Sequence, residues 1–207
     1  MSQLAPRPTA DTAKKSGILN GLLVGLMWVL EIIDVALQGA LDWIGVHAWN
    51  VAMLWTLFTA PFAHLGFGHL AANSIPLLIL GFLIALGGLR QWIYVTLAAV
   101  IGSGLFAFLL NPPGTVTIGA SGVVFGYLTY LIIRGWFSRD WRQLLLGLLV
   151  LLIYGSMLWG VFPTMPGVSW QAHLGGAVAG VLVAWWLHSQ DRRRHSKRIW
   201  NQFDPEP

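Results

Sequence analysis

Three short segments hold the polar side chains that could carry chemistry in an otherwise apolar chain. TIGASGVVFGYL (117–128) sets Ser121 among glycines, HLGFGHLAANS (64–74) holds His64, His69 and Asn73, and SWQAHLGGAVAG (169–180) holds His173. A serine hydroxyl becomes a useful nucleophile when a base takes its proton, and imidazole is a common base. Ser121 and His173 are therefore the pair whose proximity matters. His69 and Asn73 stand four residues apart, on one face of a helix. Gly122 and Gly126 form a G-x-x-x-G just after Ser121, and Gly176 and Gly180 form another just after His173. That spacing lets helix backbones approach closely. Helices packed through these two faces would bring the hydroxyl and the imidazole within hydrogen-bond reach.

Each residue also has a plainer role open to it. A serine in a membrane helix commonly bonds the carbonyl four residues back. A lone intramembrane histidine serves as an interhelical bond or a proton relay. His69 and Asn73 could simply pin their own helix. The chemistry gains weight only if all of them lie at one depth, and that depends on the elements that carry them.

The 207 residues are 56% hydrophobic and 10% charged, with a mean hydropathy of +0.67. An ordinary soluble domain has about 25% charged residues, so the composition indicates a polytopic membrane protein. Six apolar stretches are expected to span, at 17–36, 66–87, 91–110, 118–133, 143–161 and 170–188. Crossing the hydrocarbon takes about 20 helical residues; the fourth stretch reaches only roughly 24 Å and suits a central helix wrapped by the others. The fold class read from this pattern is all-α, a six-helix membrane bundle with a short central fourth helix.

Charge sets the orientation. Arg7, Lys14 and Lys15 precede the first stretch, and Arg90 separates the second from the third. Arg134, Arg139 and Arg142 separate the fourth from the fifth, and Arg192, Arg193, Arg194, Lys197 and Arg198 follow the sixth. The other three connections have no lysine or arginine, so the positive-inside rule puts both termini in the cytoplasm. The net charge of +4 and pI near 9.9 then call for no nucleic acid. With this topology the second, fourth and sixth stretches all begin at the outer face. His69, Asn73, Ser121 and His173 then share a layer about one turn below it. Polar side chains in hydrocarbon are costly and mark function or helix contacts.

Lys14-Lys15 ahead of ILNGLLVGLMWVL also resembles a secretory signal, but the run is long and ends in Glu31 and Asp34 without a small-residue cleavage site. Residues 1–16 are expected to be a disordered cytoplasmic segment, 17–190 one membrane domain, and 191–207 a basic tail drawn to anionic lipid.

Other chemistries fit less well. There is no cysteine, no H-E-x-x-H, no G-x-G-x-x-G and no Walker loop, and GASGV is not G-x-S-x-G. No metal and no cofactor are expected. Glu31 and Asp34, at the outer end of the first stretch, are poorly placed as a catalytic carboxylate pair.

At this point the chain resembles the rhomboid family of intramembrane serine proteases, in its prokaryotic six-helix form. WTLFTAPFAHLGFGHLAAN (55–73) matches that family's first-loop and second-helix signature, with Trp55, Thr59, His64, His69 and Asn73 in register. GASG (119–122) matches the nucleophile motif and AHLGGAVAG (172–180) the histidine motif. The resemblance implies Ser121 as nucleophile and His173 as general base. It also implies His69, Asn73 and the Ser121 backbone N–H as oxyanion donors, with His64, Gly119, Gly122, Phe125, Gly126, Gly176 and Gly180 in support. It further implies membrane-protein substrates cut near the outer face of a plasma membrane, with a small residue before the scissile bond. Two positions depart from the family pattern: Thr56 stands where arginine is usual, and Phe125 where tyrosine is common. The first loop near Trp43–Trp49 and the segment PTMPGVS (163–169) are candidate covers. The competing classes are a non-catalytic helix-binding relative and a transporter. Oligomeric state is not legible.

Overall fold

The structure is a computed structural model that describes residues 9–203, with side chains described through Gln190. Six α-helices run α1 Ala10–Ala36, α2 Gly66–Ala85, α3 Leu89–Leu110, α4 Ser121–Ser138, α5 Trp141–Tyr154 and α6 Trp170–Phe203. A 3₁₀ segment, Gly155–Val161, extends α5. Four helical stretches are long and apolar enough to cross a membrane: α1, α2, α3 and Trp141–Val161. The protein is therefore an integral membrane protein.

Two helix limits differ from the sequence reading. α1 begins at Ala10, because Thr9 caps it by accepting from the Thr12 N–H at 3.2 Å and Lys15 pairs with Asp11 at 2.7 Å. Residues 10–16 are thus helical rather than disordered, while residues 1–8 lie outside the described set. α4 continues to Ser138, so Arg134 sits in its last turns instead of the connection. The Arg134 side chain runs back one turn along α4, with the guanidinium over the buried Tyr130 ring, 5.8 Å from its centre. The side chains expected to make the tail basic, from Arg192 to Arg198, fall outside the described side chains.

α4 is the innermost helix and packs against α2, α3, α5 and α6. Val124, Tyr127, Leu128 and Leu131 are fully buried along it. Hydrophobic burial cannot drive helices together in lipid, so close backbone packing and interhelical hydrogen bonds do the work. Trp92 on α3 donates to Asn20 on α1 at 3.2 Å, and Trp28 on α1 donates to Ser74 on α2 at 3.0 Å. Thr96 and Tyr127 join α3 to α4 at 2.7 Å, and Thr129 on α4 donates to the Ala177 carbonyl of α6 at 2.8 Å.

Residues 37–65, between α1 and α2, form a folded cap rather than a loose loop. Three 3₁₀ segments, Asp42–Ile44, Val51–Leu57 and Ala60–Phe62, alternate with a two-residue strand β1, Val46–His47. β1 pairs antiparallel with β2, Val116–Thr117, so the cap is tied to the α3–α4 connection. Trp49 donates from its indole to the Asn111 carbonyl at 3.0 Å, and Thr59 from its hydroxyl to the Ile44 carbonyl at 2.7 Å. Thr56 is fully buried and bonds the Met53 carbonyl at 2.7 Å, so it serves the turn's own backbone.

Candidate active site

The segment before α4 is shaped by Gly119. Its φ of +109° suits only glycine, and a Cβ there would lie 2.5 Å from the His69 ring. Its N–H donates to the Ala60 carbonyl at 3.0 Å, and the next N–H, of Ala120, donates to His64 Nε2 at 3.4 Å. The turn is therefore held against the cap and α2, and Ser121 becomes the first residue of α4. At that position its N–H has no intrahelical acceptor and lies at the positive end of the helix dipole.

The two G-x-x-x-G motifs do meet, although each glycine faces a different neighbour. On α6, a Cβ at Gly176 would collide with the Gly122 carbonyl oxygen, and one at Gly180 with the Gly126 carbonyl oxygen. On α4, a Cβ at Gly122 would collide with Ser103 of α3, and one at Gly126 with Ala99 of α3. The same α4 glycines also face the Ala172 and Gly176 carbonyls of α6 at 3.1 Å. Gly102 on α3 is packed as closely against Gly175 and Ala179. Three helices, not two, share this small-residue seam.

The seam brings Ser121 Oγ to 2.8 Å from His173 Nε2. His173 Nδ1 lies 2.9 Å from the Gly160 carbonyl oxygen. A carbonyl can only accept, so Nδ1 carries a proton, and in the neutral ring Nε2 presents its lone pair to the serine hydroxyl. Phe125, one turn after Ser121, lies flat on the imidazole with ring centres 4.2 Å apart and planes 9° apart. The imidazole is thus fixed at one nitrogen and along one face.

His69 has the opposite tautomer. The Leu65 N–H donates to His69 Nδ1 at 3.3 Å, so the neutral ring carries its proton on Nε2. One histidine in this site is an acceptor and the other a donor. His64 packs edge-on to His69, centres 5.1 Å apart, and is buried. His64 lies in the connection ahead of α2, and burial, reinforced by the neighbouring His69, lowers its pKa to about 4. A neutral His64 is what the Ala120 N–H requires as acceptor.

A cavity of about 130 Å³ is lined by Ser121, His173, His69 and Gly119, together with small side chains such as Ala60 and Ala107. Asn73 is not brought to it. Its amide donates to the His69 carbonyl at 3.0 Å within α2. Glu31 and Asp34 are buried in α1 and also absent from the lining. Among the described residues no three His, Cys, Asp or Glu side chains are grouped to hold a metal.

Two contributors escaped the sequence reading. The Gly160 carbonyl is a backbone atom, which no residue pattern announces. Ser103 lines the cavity, and the signal for it was a single hydroxyl in the apolar run AAVIGSGLFAFLL (98–110).

Comparison with known proteins agrees with this architecture. A family model described as the Rhomboid domain matches residues 51–190. An uncharacterized protein of Mycobacterium tuberculosis is 39% identical over 199 residues, covering 90% of this chain and 83% of its own length. Rhomboid-like protein 11, chloroplastic, of Arabidopsis thaliana is 29% identical over 216 residues, covering 90% of this chain and 73% of its own. Rhomboid-related protein 3 of Homo sapiens is 28% identical over 164 residues, covering 72% and 40%. The match spans the first-loop signature, the Ser121 turn and the His173 helix together, and on that ground the chain belongs to the rhomboid family.

Proposed function

We propose that the protein is an intramembrane serine endopeptidase that hydrolyses peptide bonds in or beside transmembrane segments of other membrane proteins. The observation that carries this reading is the 2.8 Å contact from Ser121 Oγ to His173 Nε2, with Nδ1 committed to Gly160. The Ser121 hydroxyl attacks the scissile carbonyl as its proton passes to His173 Nε2. The tetrahedral oxyanion accepts hydrogen bonds from the Ser121 N–H and His69 Nε2–H. Asn73 would join only after its amide turns from the His69 carbonyl. His173 then gives its proton to the leaving amine, and water, activated by the same imidazole, hydrolyses the acyl-enzyme.

The domain is read as 17–190, crossing six times with α4 central, both termini cytoplasmic, and the site opening outward in a plasma membrane. The asymmetry of the basic residues supports that orientation. Ala60, Gly104 and Ala107 around the cavity support a small side chain before the scissile bond. Of the two candidate covers, 163–169 is the better supported. Gly167, Val168 and Ser169 line the cavity, as Val46 of the first loop does, but the first loop is stapled by β1–β2.

The test is intact-mass analysis after treatment of the detergent-solubilised protein with a fluorophosphonate, beside Ser121→Ala and His173→Ala. One adduct on the wild type and none on either variant is expected. A folded wild type that stays unlabelled, or labels equally without His173, overturns the reading in favour of a non-catalytic helix binder.

A further inference from the structure

The corner between α4 and α5 holds a residue that the turn itself does not require. Arg139 follows α4 in the left-handed region, at φ +53° and ψ +30°. Glycine is the usual residue at this helix-ending position, because a Cβ is strained there. The turn has other fastenings. Ser138 Oγ donates to the Gly135 carbonyl and accepts from the Asp140 N–H, at 3.3 and 3.4 Å. The Asp140 carboxylate caps α5, accepting from the Arg142 N–H at 2.9 Å and from Gln143 at 3.5 Å. Backbone strain kept at a well-fastened turn points to a use for the side chain.

Arg139 lines a cavity of about 470 Å³ with Ser138, His188 and the flanking Trp136 and Trp185. The two tryptophans are 73% and 54% exposed. Among the described residues no carboxylate forms an ion pair with Arg139, and the nearby Arg134 and Arg142 lie over Tyr130 and Trp141 rather than against acids. The corner therefore sets a guanidinium with no ion-pair partner among the described residues beside an imidazole, between exposed indole rings, while its one carboxylate, Asp140, caps α5. Tryptophans concentrate at the headgroup level of a bilayer, and a guanidinium fork matches phosphate oxygens.

We propose that this corner binds the phosphate of an anionic phospholipid, with Arg139 as the donor, His188 lining the site, and Trp136 and Trp185 bracketing the glycerol and upper acyl chain. The site is independent of the serine chemistry: Ser121→Ala would keep it. It joins the end of α4 to α6, the two helices whose opposite ends carry Ser121 and His173. A lipid held there would fasten the pair.

Native mass spectrometry of the full chain in detergent, titrated with phosphatidylglycerol or phosphatidylcholine, tests the assignment, with thermal unfolding measured in parallel. The wild type should take up phosphatidylglycerol in preference, with a rise in Tm. Arg139→Gly should lose at least about tenfold in that affinity, the usual weight of a charge-assisted contact. Its lipid-free Tm should not fall, because glycine relieves the strained backbone. Arg139→Lys and His188→Gln should fall between. The basic tail is present in every variant, so its contribution cancels. Equal uptake by wild type and Arg139→Gly, or equal uptake of the two lipids, overturns the proposal. So does inorganic phosphate that displaces the lipid and raises Tm as much, since that describes a free-anion site. If Arg139→Gly does not fold, the strain argument is wrong, and the same comparison with Arg139→Lys and His188→Gln decides the binding.

Discussion

Replacing Gly176 by alanine probes the link between helix packing and chemistry without touching Ser121 or His173. The new Cβ would overlap the Gly122 carbonyl oxygen and lie 2.8 Å from its carbon, and both belong to backbone that no rotamer change can move. Ordinary contact requires roughly 3.5 Å or more, so α4 and α6 must separate by at least about 0.7 Å to clear the carbon, and by more to clear the closer oxygen. Gly176 lies one turn beyond His173, and Gly122 is the residue after Ser121. Most of that displacement therefore reaches the 2.8 Å hydrogen bond and stretches it to about 3.5 Å, the limit of a useful contact. Overpacking costs about 1–3 kcal/mol of stability, which an assembled membrane domain tolerates. A misplacement approaching 1 Å costs about a hundredfold in rate. The assay is the second-order rate of fluorophosphonate labelling, with circular dichroism and size exclusion showing that the variant is folded. Gly25→Ala is the control, because nothing lies within 4 Å of a Cβ there. A folded Gly176→Ala protein that labels at the wild-type rate would refute the claim that the glycine seam sets the serine–histidine distance.

Other expectations concern the groups around the pair. His69→Ala should slow labelling by about 10²–10³, the usual effect of removing one oxyanion donor, whereas Asn73→Ala, whose amide faces its own helix, should cost under about tenfold. Comparable losses in both would mean that Asn73 turns into the cavity during the reaction. Phe125→Tyr should retain the stack on His173 and label normally, and Phe125→Leu should lose about tenfold as the imidazole gains freedom. Thermal stability should decline with acidification in a window set by His64, whose folded pKa of about 4 lies below the ordinary 6.5. Its neutral form is the one the fold holds, so this contribution is complete above pH 6.5 and is lost as pH falls toward 4, where the unfolded chain takes up the proton first. His64→Gln, which can still accept from the Ala120 N–H, should flatten that part of the profile. An unchanged slope in Tm against pH would remove His64 as its source.

Much of this protein can be read directly from its residues. Apolar runs that no soluble core needs mark the membrane helices. The distribution of basic residues supports the orientation proposed for them. Ser121, His173 and the glycine pairs stand out because polar side chains inside a bilayer mark function or helix contacts and G-x-x-x-G marks close packing. Helix limits are less so. Thr9 and Lys15 extend α1 through local bonds, and α4 runs on past Arg134, whose guanidinium packs over Tyr130 one turn back, to end at Ser138. The first loop could not be anticipated as a cap, since the β1–β2 pairing joins segments about 70 residues apart through backbone alone. The same reason hides the group that orients the His173 ring. Every residue has a carbonyl, so nothing in the sequence singles out that of Gly160, and only the fold places it 2.9 Å from His173 Nδ1. Residue types and their spacing alone pick out the side chains available for chemistry. Packing sets their tautomers and aim: opposite tautomers on His69 and His173, and an amide on Asn73 turned toward its own helix. Hydrogen bonds between distant backbone atoms depend on three-dimensional distance, which residue identity does not encode.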